Sequence, residues 1–290
     1  MRINQKLLLV LYAGALLFAG AVAVKGYEYY TRPLIERPYS PLHTIFKPGG
    51  AWGHGLGILG SGMMLLLFLY SARKRHALGL RFGKIRQWLN IHIFFGIMGP
   101  IFVTLHTAFK FGGIVSISYY SMVAVMLSGF VGRYLYVQIP RAISGEELTL
   151  RQMGVKYDQL RQLLIEKYRM KSEVLDQMQA FLNPGATDNP RGLAALLVIF
   201  KSDLLRPFRT RNLRRKLLAS KLRLPAVTIN HLVDLIIQQS LMKRKIALLS
   251  AIQPMFHYWH VIHKPFAYVM IIIMFIHVGV TLLFGYRWIF

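Results

Sequence analysis

Five apolar stretches of bilayer length recur along the chain, at residues 7–24, 51–71, 89–109, 116–139 and 263–284. About 20 apolar residues make a helix that crosses a hydrocarbon core roughly 30 Å thick, so each stretch predicts a transmembrane helix. The first follows a short basic start and ends in small residues near Ala19 and Ala23. Cleaved signal peptides share that form; the segment is read here as a retained first transmembrane helix.

The segments between them are patterned differently. In residues 25–50, aromatic residues and Pro33, Pro38, Pro41 and Pro48 prevent a long helix. The expectation is an ordered outer loop on the bilayer surface, with Tyr27, Tyr29, Tyr30 and Tyr39 at headgroup level. Residues 73–86 hold Arg73, Lys74, Arg75, Arg81, Lys84 and Arg86 and no acidic residue. Such a loop is cytoplasmic, which sets the N-terminus inside, the second helix running inward and the third outward. The turn at 110–113 is short, so the fourth helix is an antiparallel neighbour of the third.

Residues 141–253 form a polar insertion. A capping box at 144–147 opens a helical period through 182, stopped at 183–185. Asn189 and Pro190 open a second helix through about residue 205. A basic run at 206–223 follows, then a third helical region at 225–250, and Pro254 separates the insertion from the last helix. The predicted fold is an all-α integral membrane protein. Its parts are a transmembrane helix at 1–24, an outer loop at 25–50, transmembrane helices two to four at 51–140, a basic helical cytoplasmic insertion at 141–253 and a C-terminal transmembrane helix at 254–290.

Composition agrees: 54% of residues are hydrophobic and the mean hydropathy is +0.41. The chain has no cysteine, which excludes disulfides, cysteine-ligated iron–sulfur clusters and covalent haem attachment. The net charge of +25 reflects Lys and Arg crowding the ends of membrane segments, so nucleic-acid binding is not expected. The setting expected is a bacterial inner membrane.

Against this apolar background four histidines stand out. His92 and His106 lie fourteen residues apart in the third helix, and His263 and His277 fourteen apart in the fifth. A fourteen-residue step returns to within roughly 40° of the starting face after a rise of about 21 Å. Each helix therefore carries one imidazole near either membrane edge, on one face. Both helices run outward, so His92 meets His263 at the inner level and His106 meets His277 at the outer one. Neutral imidazole is a good axial ligand for haem iron, and two saturate it. Two haems b, each held by a His pair, suit electron transfer. The competing reading is ordinary buried histidines with satisfied hydrogen bonds.

Other residues have secondary parts in this reading. The second helix is glycine-rich, either for close helix packing or to let a flat macrocycle approach. His54 at its outer edge is read as a propionate contact, part of a quinol site, or ligand to a third haem. Pro100 is expected to kink the third helix. Arg133 either snorkels to headgroups or partners an inner propionate. His260 sits off the shared face and suits a propionate or a quinone headgroup. His43, His76 and His231 are read as structural or solvated. Tyr286, Arg287 and Trp288 form an outer interface anchor.

Through His92, His106, His263 and His277, residues 50–138 and 255–288 resemble the di-haem b-type cytochromes of membranes. They are similar in particular to ferric-reductase/NADPH-oxidase-type transmembrane cytochromes, where two helices each give one His to each of two haems. The resemblance implies a four-helix haem-binding bundle and a cytochrome b subunit carrying electrons across the membrane. No Gly-rich nucleotide loop or cluster ligand set is present, so a quinone and soluble or membrane redox subunits are the expected partners, in a larger oxidoreductase. The alternatives are a histidine-lined proton or metal transporter, which calls for intramembrane Asp or Glu, and a structural membrane anchor.

Overall fold

The computed structural model describes residues 5–79, 82–139, 149–183, 192–219 and 225–284, and every regular element among them is helical. The helices are α1 (Gln5–Lys25), α2 (Tyr27–Thr31), α3 (His43–Phe46), α4 (Ala51–Lys74), α5 (Ile85–His106), α6 (Val115–Gln138), α7 (Leu150–Tyr168), α8 (Ser172–Leu182), α9 (Gly192–Ala219) and α10 (Ala226–Leu283). Five spans are long and apolar enough to cross a bilayer: Lys6–Lys25, His43–Lys74, Ile85–His106, Val115–Gln138 and Ala251–Leu283. They mark an integral membrane protein. The chain divides into two compact units, Met1–Val131 with Val261–Phe290, and Gly132–His260.

In the first unit, helix direction follows from individual contacts. α4 lies antiparallel against α5: Gly53 meets His106, Gly60 meets Gly99, and Leu67 meets His92. A Cβ on Gly60 would stand 3.0 Å from the Gly99 carbonyl oxygen, so glycine sets how closely the two backbones approach. α6 runs back along α5, with Thr104 and Tyr119 hydroxyls 3.3 Å apart. It is also antiparallel to α10, through Ser118 to the Met270 carbonyl (2.8 Å) and Ser128 to His263 (2.7 Å). α5 and α10 therefore run the same way. Met64, Leu67, Met122 and Met270 close the interior among these four helices. Pro100 stays inside α5, and the Thr104 hydroxyl donates to its carbonyl at 2.7 Å.

Residues 25–50 are more structured than a surface loop. Two short helices and a 3₁₀ turn at Arg37–Tyr39 fold them back onto the bundle. Tyr27 and Tyr39 are exposed, but Tyr29 and Tyr30 are buried in the core with Phe46, Leu56 and Phe102 rather than set among headgroups. The reason is Arg37. Its buried guanidinium donates to the carbonyls of Arg32 (2.9 Å), Ala108 (2.5 Å) and Tyr30 (2.7 Å) and lies over the Tyr29 ring. Ala108 has φ of 48° and Phe109 of 59°, so Arg37 clasps a left-handed turn that glycine would adopt more easily.

In the second unit, α7 starts with a capping box between Thr149 and Gln152. The expected box at 144–147 lies outside the described residues, as do 184–185 and 189–190. The helical period expected through 182 is broken: Arg169 turns left-handed (φ 51°), its N–H returning to the Leu164 carbonyl, before α8 begins. α9 extends past the expected end near 205 and through Pro207. α10 passes through Pro254, where a separation was expected. An internal proline costs a helix about 3 kcal/mol; buried Leu248, Leu249 and Ile252 pack the turns around this one. Asp203 gathers a charged knot, accepting from Tyr134 (3.0 Å), Gln138 (3.1 Å), Arg206 and the buried Arg244 (2.7 Å). Residues 286–288 lie outside the described residues.

Candidate functional site

His106 and His277 come together. Their ring centroids are 6.4 Å apart with planes at 58°. Two imidazoles sharing one iron at bonds of about 2 Å stand with centroids roughly 6.3 Å apart, so this pair has the separation of a bis-imidazole centre. His54 lies within electrostatic reach of both rings, which makes three imidazoles at this end. His92 and His263 occupy the other level, fourteen residues back along two parallel helices.

Three of the four rings are fixed through Nδ1. His106 donates Nδ1–H to the Gly53 carbonyl at 2.8 Å, and His92 donates to the Leu67 carbonyl at 3.2 Å. A carbonyl only accepts, so both rings carry their proton on Nδ1 and their lone pair on Nε2. The Ser128 hydroxyl lies 2.9 Å from the Val125 carbonyl and 2.7 Å from His263 Nδ1, so it holds this third ring through the same nitrogen, with either atom able to donate. Metal-bound histidines are typically oriented this way, one nitrogen held by an outer acceptor and the other presented to the metal. Satisfied buried histidines account for the Nδ1 bonds, but they do not call for the fourteen-residue repeat on two parallel helices or for the pairing of His106 with His277.

α4 supplies two of these acceptors, and Gly53 and Leu67 are themselves fourteen residues apart. Their spacing matches the imidazoles on antiparallel α5. Gly57 of α4 faces the His106 ring: a Cβ there would stand 2.7 Å from His106 Nδ1. The glycines of α4 thus serve both helix packing and access to a ring. Tyr70 lies tilted beside His92, with centroids 5.1 Å apart and planes at 47°.

His260 and Arg133 belong to the second unit. His260 donates Nδ1–H to the Phe256 carbonyl (2.8 Å) and sits edge-on against Phe256 and Trp259. Arg133 lies over the Tyr136 ring at 5.6 Å. His43 is 3.1 Å from the Tyr29 hydroxyl, and His231 is 2.8 Å from the Tyr168 hydroxyl, both structural contacts. Sequence reasoning missed Ser128, Tyr70 and Arg37. A hydroxyl within an apolar helix was the one available signal for Ser128, but nothing local tied it to a histidine 135 residues away.

Among the described residues no three His, Cys, Asp or Glu side chains gather into a metal site. A haem needs only two protein donors, since the porphyrin supplies four. No Asp or Glu occurs in any of the five spans. No family model, curated protein or solved structure matches this chain.

Proposed function

We propose that this chain is a di-haem cytochrome b subunit that carries electrons across the membrane between a quinone and partner redox subunits of a larger oxidoreductase. The observation that carries the reading is the His106–His277 pair at 6.4 Å. The Nδ1 tautomers of His92 and His106, and the Nδ1 contact of His263, support it. The residues that would hold two haems b (heme b) are His106 with His277 and His92 with His263. Haem supplies one-electron chemistry, and a centre with both axial positions filled by imidazole favours electron transfer over oxygen binding.

The chain's own contribution is orientation and environment. The carbonyls of Gly53 and Leu67 and the hydroxyl of Ser128 hold the rings and raise their basicity as ligands. The aliphatic and methionine interior keeps the site dry, which with axial ligation tunes a redox potential. His54 is the group best placed for an added role at the outer site. His260 remains a proposed contact for a propionate or a quinone headgroup at the inner surface, and Arg133 a proposed partner of an inner propionate. The orientation that goes with this reading has the N-terminus in the cytoplasm of a bacterial inner membrane, as the basic segment 73–86 supports. A proton or metal transporter is disfavoured by the lack of acidic residues in the spans.

Pyridine haemochrome analysis of the purified protein tests the proposal, with His92, His106, His263 and His277 each changed to Leu. The expected result is two haems b per chain and one lost with each change. A folded, fully assembled preparation without haem overturns it. A third haem lost with His54→Leu would add a site at the outer end.

A further inference from the structure

α9 is apolar on two opposite faces. Ala195, Ile199 and Ser202, then Leu213 and Leu217, are buried against the rest of the second unit. On the other side Leu197 (69% exposed), Phe200 (57%), Leu204 (62%) and Phe208 (69%) form a continuous outward stripe. Their spacing keeps all four within about 40° of one line along the helix. Arg211 and Arg215 continue that line, exposed, with Lys201 and Arg214 on its flanks. The single acidic residue of α9, Asp203, is engaged by Arg206 and Arg244.

The start of this stripe lies against the end of α6. Phe200 meets the ring of Tyr134, with centroids 6.2 Å apart. Asp203, one turn further, accepts from Tyr134 and Gln138. Both partners lie in the last turns of the span Val115–Gln138. The exposed apolar stripe therefore begins beside the last turns of a helix that is long and apolar enough to cross a bilayer.

We infer that α9 is an interfacial helix that lies in the surface of an anionic bilayer. Leu197, Phe200, Leu204 and Phe208 enter the acyl boundary, and Arg211, Arg214 and Arg215 meet lipid phosphates. An amphipathic helix of this kind buries its apolar face about 5–10 Å below the headgroups. Basic residues beside it are drawn to the negative lipid surface. The choice of lipid over a protein partner rests on charge complementarity and on continuity with the membrane-spanning α6. The inference holds whether or not the chain carries haem.

The chain has no cysteine, so single labels can be placed without background. Leu204→Cys, Phe208→Cys and, as control, Lys216→Cys would be spin-labelled in the full-length protein. Each would be reconstituted into bilayers of phosphatidylcholine with about a quarter phosphatidylglycerol, a composition rich enough in anionic lipid to hold basic residues. Collision with dissolved oxygen, which concentrates in lipid, is compared with collision with a water-soluble nickel chelate. The expected oxygen-to-nickel ratio at 204 and 208 exceeds that at 216 by about threefold or more, as burial below the headgroups requires. It should fall when phosphatidylglycerol is omitted. Nickel access at 204 and 208 equal to that at 216 overturns the inference, and so does shielding from both reagents, which would mean a second copy covers the face. An unchanged ratio in pure phosphatidylcholine overturns the role given to anionic lipid.

Discussion

His106 donates its Nδ1 proton to the carbonyl oxygen of Gly53 across 2.8 Å. That bond fixes the ring's tautomer and its rotation together, and leaves the lone pair on Nε2. It depends on the close passage of α4, because Gly57 puts only a hydrogen atom where a side chain would meet the ring.

Gly57→Ala tests that clearance. A methyl group 2.7 Å from Nδ1 must displace the imidazole. Under the di-haem proposal, haem content should fall from two per chain toward one by pyridine haemochrome. Gly62→Ala, at a position with open space around it, should leave both.

Ser128→Ala removes the hydroxyl that holds His263 Nδ1 while keeping the proposed ligand. Loss of such an outer partner weakens metal-site affinity by about 10–100-fold. Haem transfer to a scavenger protein should quicken for one of the two proposed haems, and its midpoint potential should shift. Ser128→Thr, which keeps the hydroxyl, should restore both; a mutant with unchanged transfer and potential would remove Ser128 from the site.

Tyr30 offers a pH test outside the spans. Its hydroxyl is buried without a hydrogen-bond partner among the described residues. Burial first, and then the neighbouring Tyr29, push its pKa up to about 12 against the opposing charge of Arg37. The unfolded chain ionises this phenol near 10.0 while the folded protein keeps the proton. Its contribution to stability is therefore complete below pH 10.0 and is lost as pH rises toward about 12. Tyr30→Phe should flatten that alkaline loss in thermal unfolding, leaving the smaller slope set by Tyr29. At neutral pH it should change stability by less than about 1 kcal/mol, since no hydrogen bond is given up.

Asp203→Asn tests the second unit. Burial, and then mutual repulsion with Arg244, hold the Arg206 guanidinium below its ordinary pKa; burial does the same to Arg244. Removing the carboxylate leaves two cations together without a counter-charge, a change that costs about 3–5 kcal/mol at buried sites. Limited proteolysis should open residues 132–260 at lower protease concentration. Asp203→Asn combined with Arg244→Met should recover part of the loss.

The histidine repeat was legible in the sequence because it follows helix geometry alone. The five spans were legible because burial in lipid demands length and apolarity. The expected pairing of His106 with His277 depended on relative helix direction, which the charged loop at 73–86 carries. The rest depended on partners distant along the chain. Tyr29 and Tyr30 look like headgroup tyrosines until Arg37 is seen to fold back onto Ala108, 71 residues away. Arg169 breaks a helix whose apolar period continues across the break, with neither glycine nor proline to mark it. Pro254 misled in the opposite sense, since a proline's local cost says nothing of the packing that outweighs it.

The acceptors for His106 and His92 belong to the main chain of α4, so no single amino-acid substitution can delete them. Side chains at 53 and 67 can change the packing, but the carbonyls stay. What these two rings require of α4 is therefore stored as length. A one-residue insertion between Gly53 and Leu67 turns one carbonyl about 100° away from its imidazole relative to the other. Such a helix tolerates spelling changes and resists changes in its count, so its variation should run to substitutions, with insertions and deletions displaced into the connections on either side.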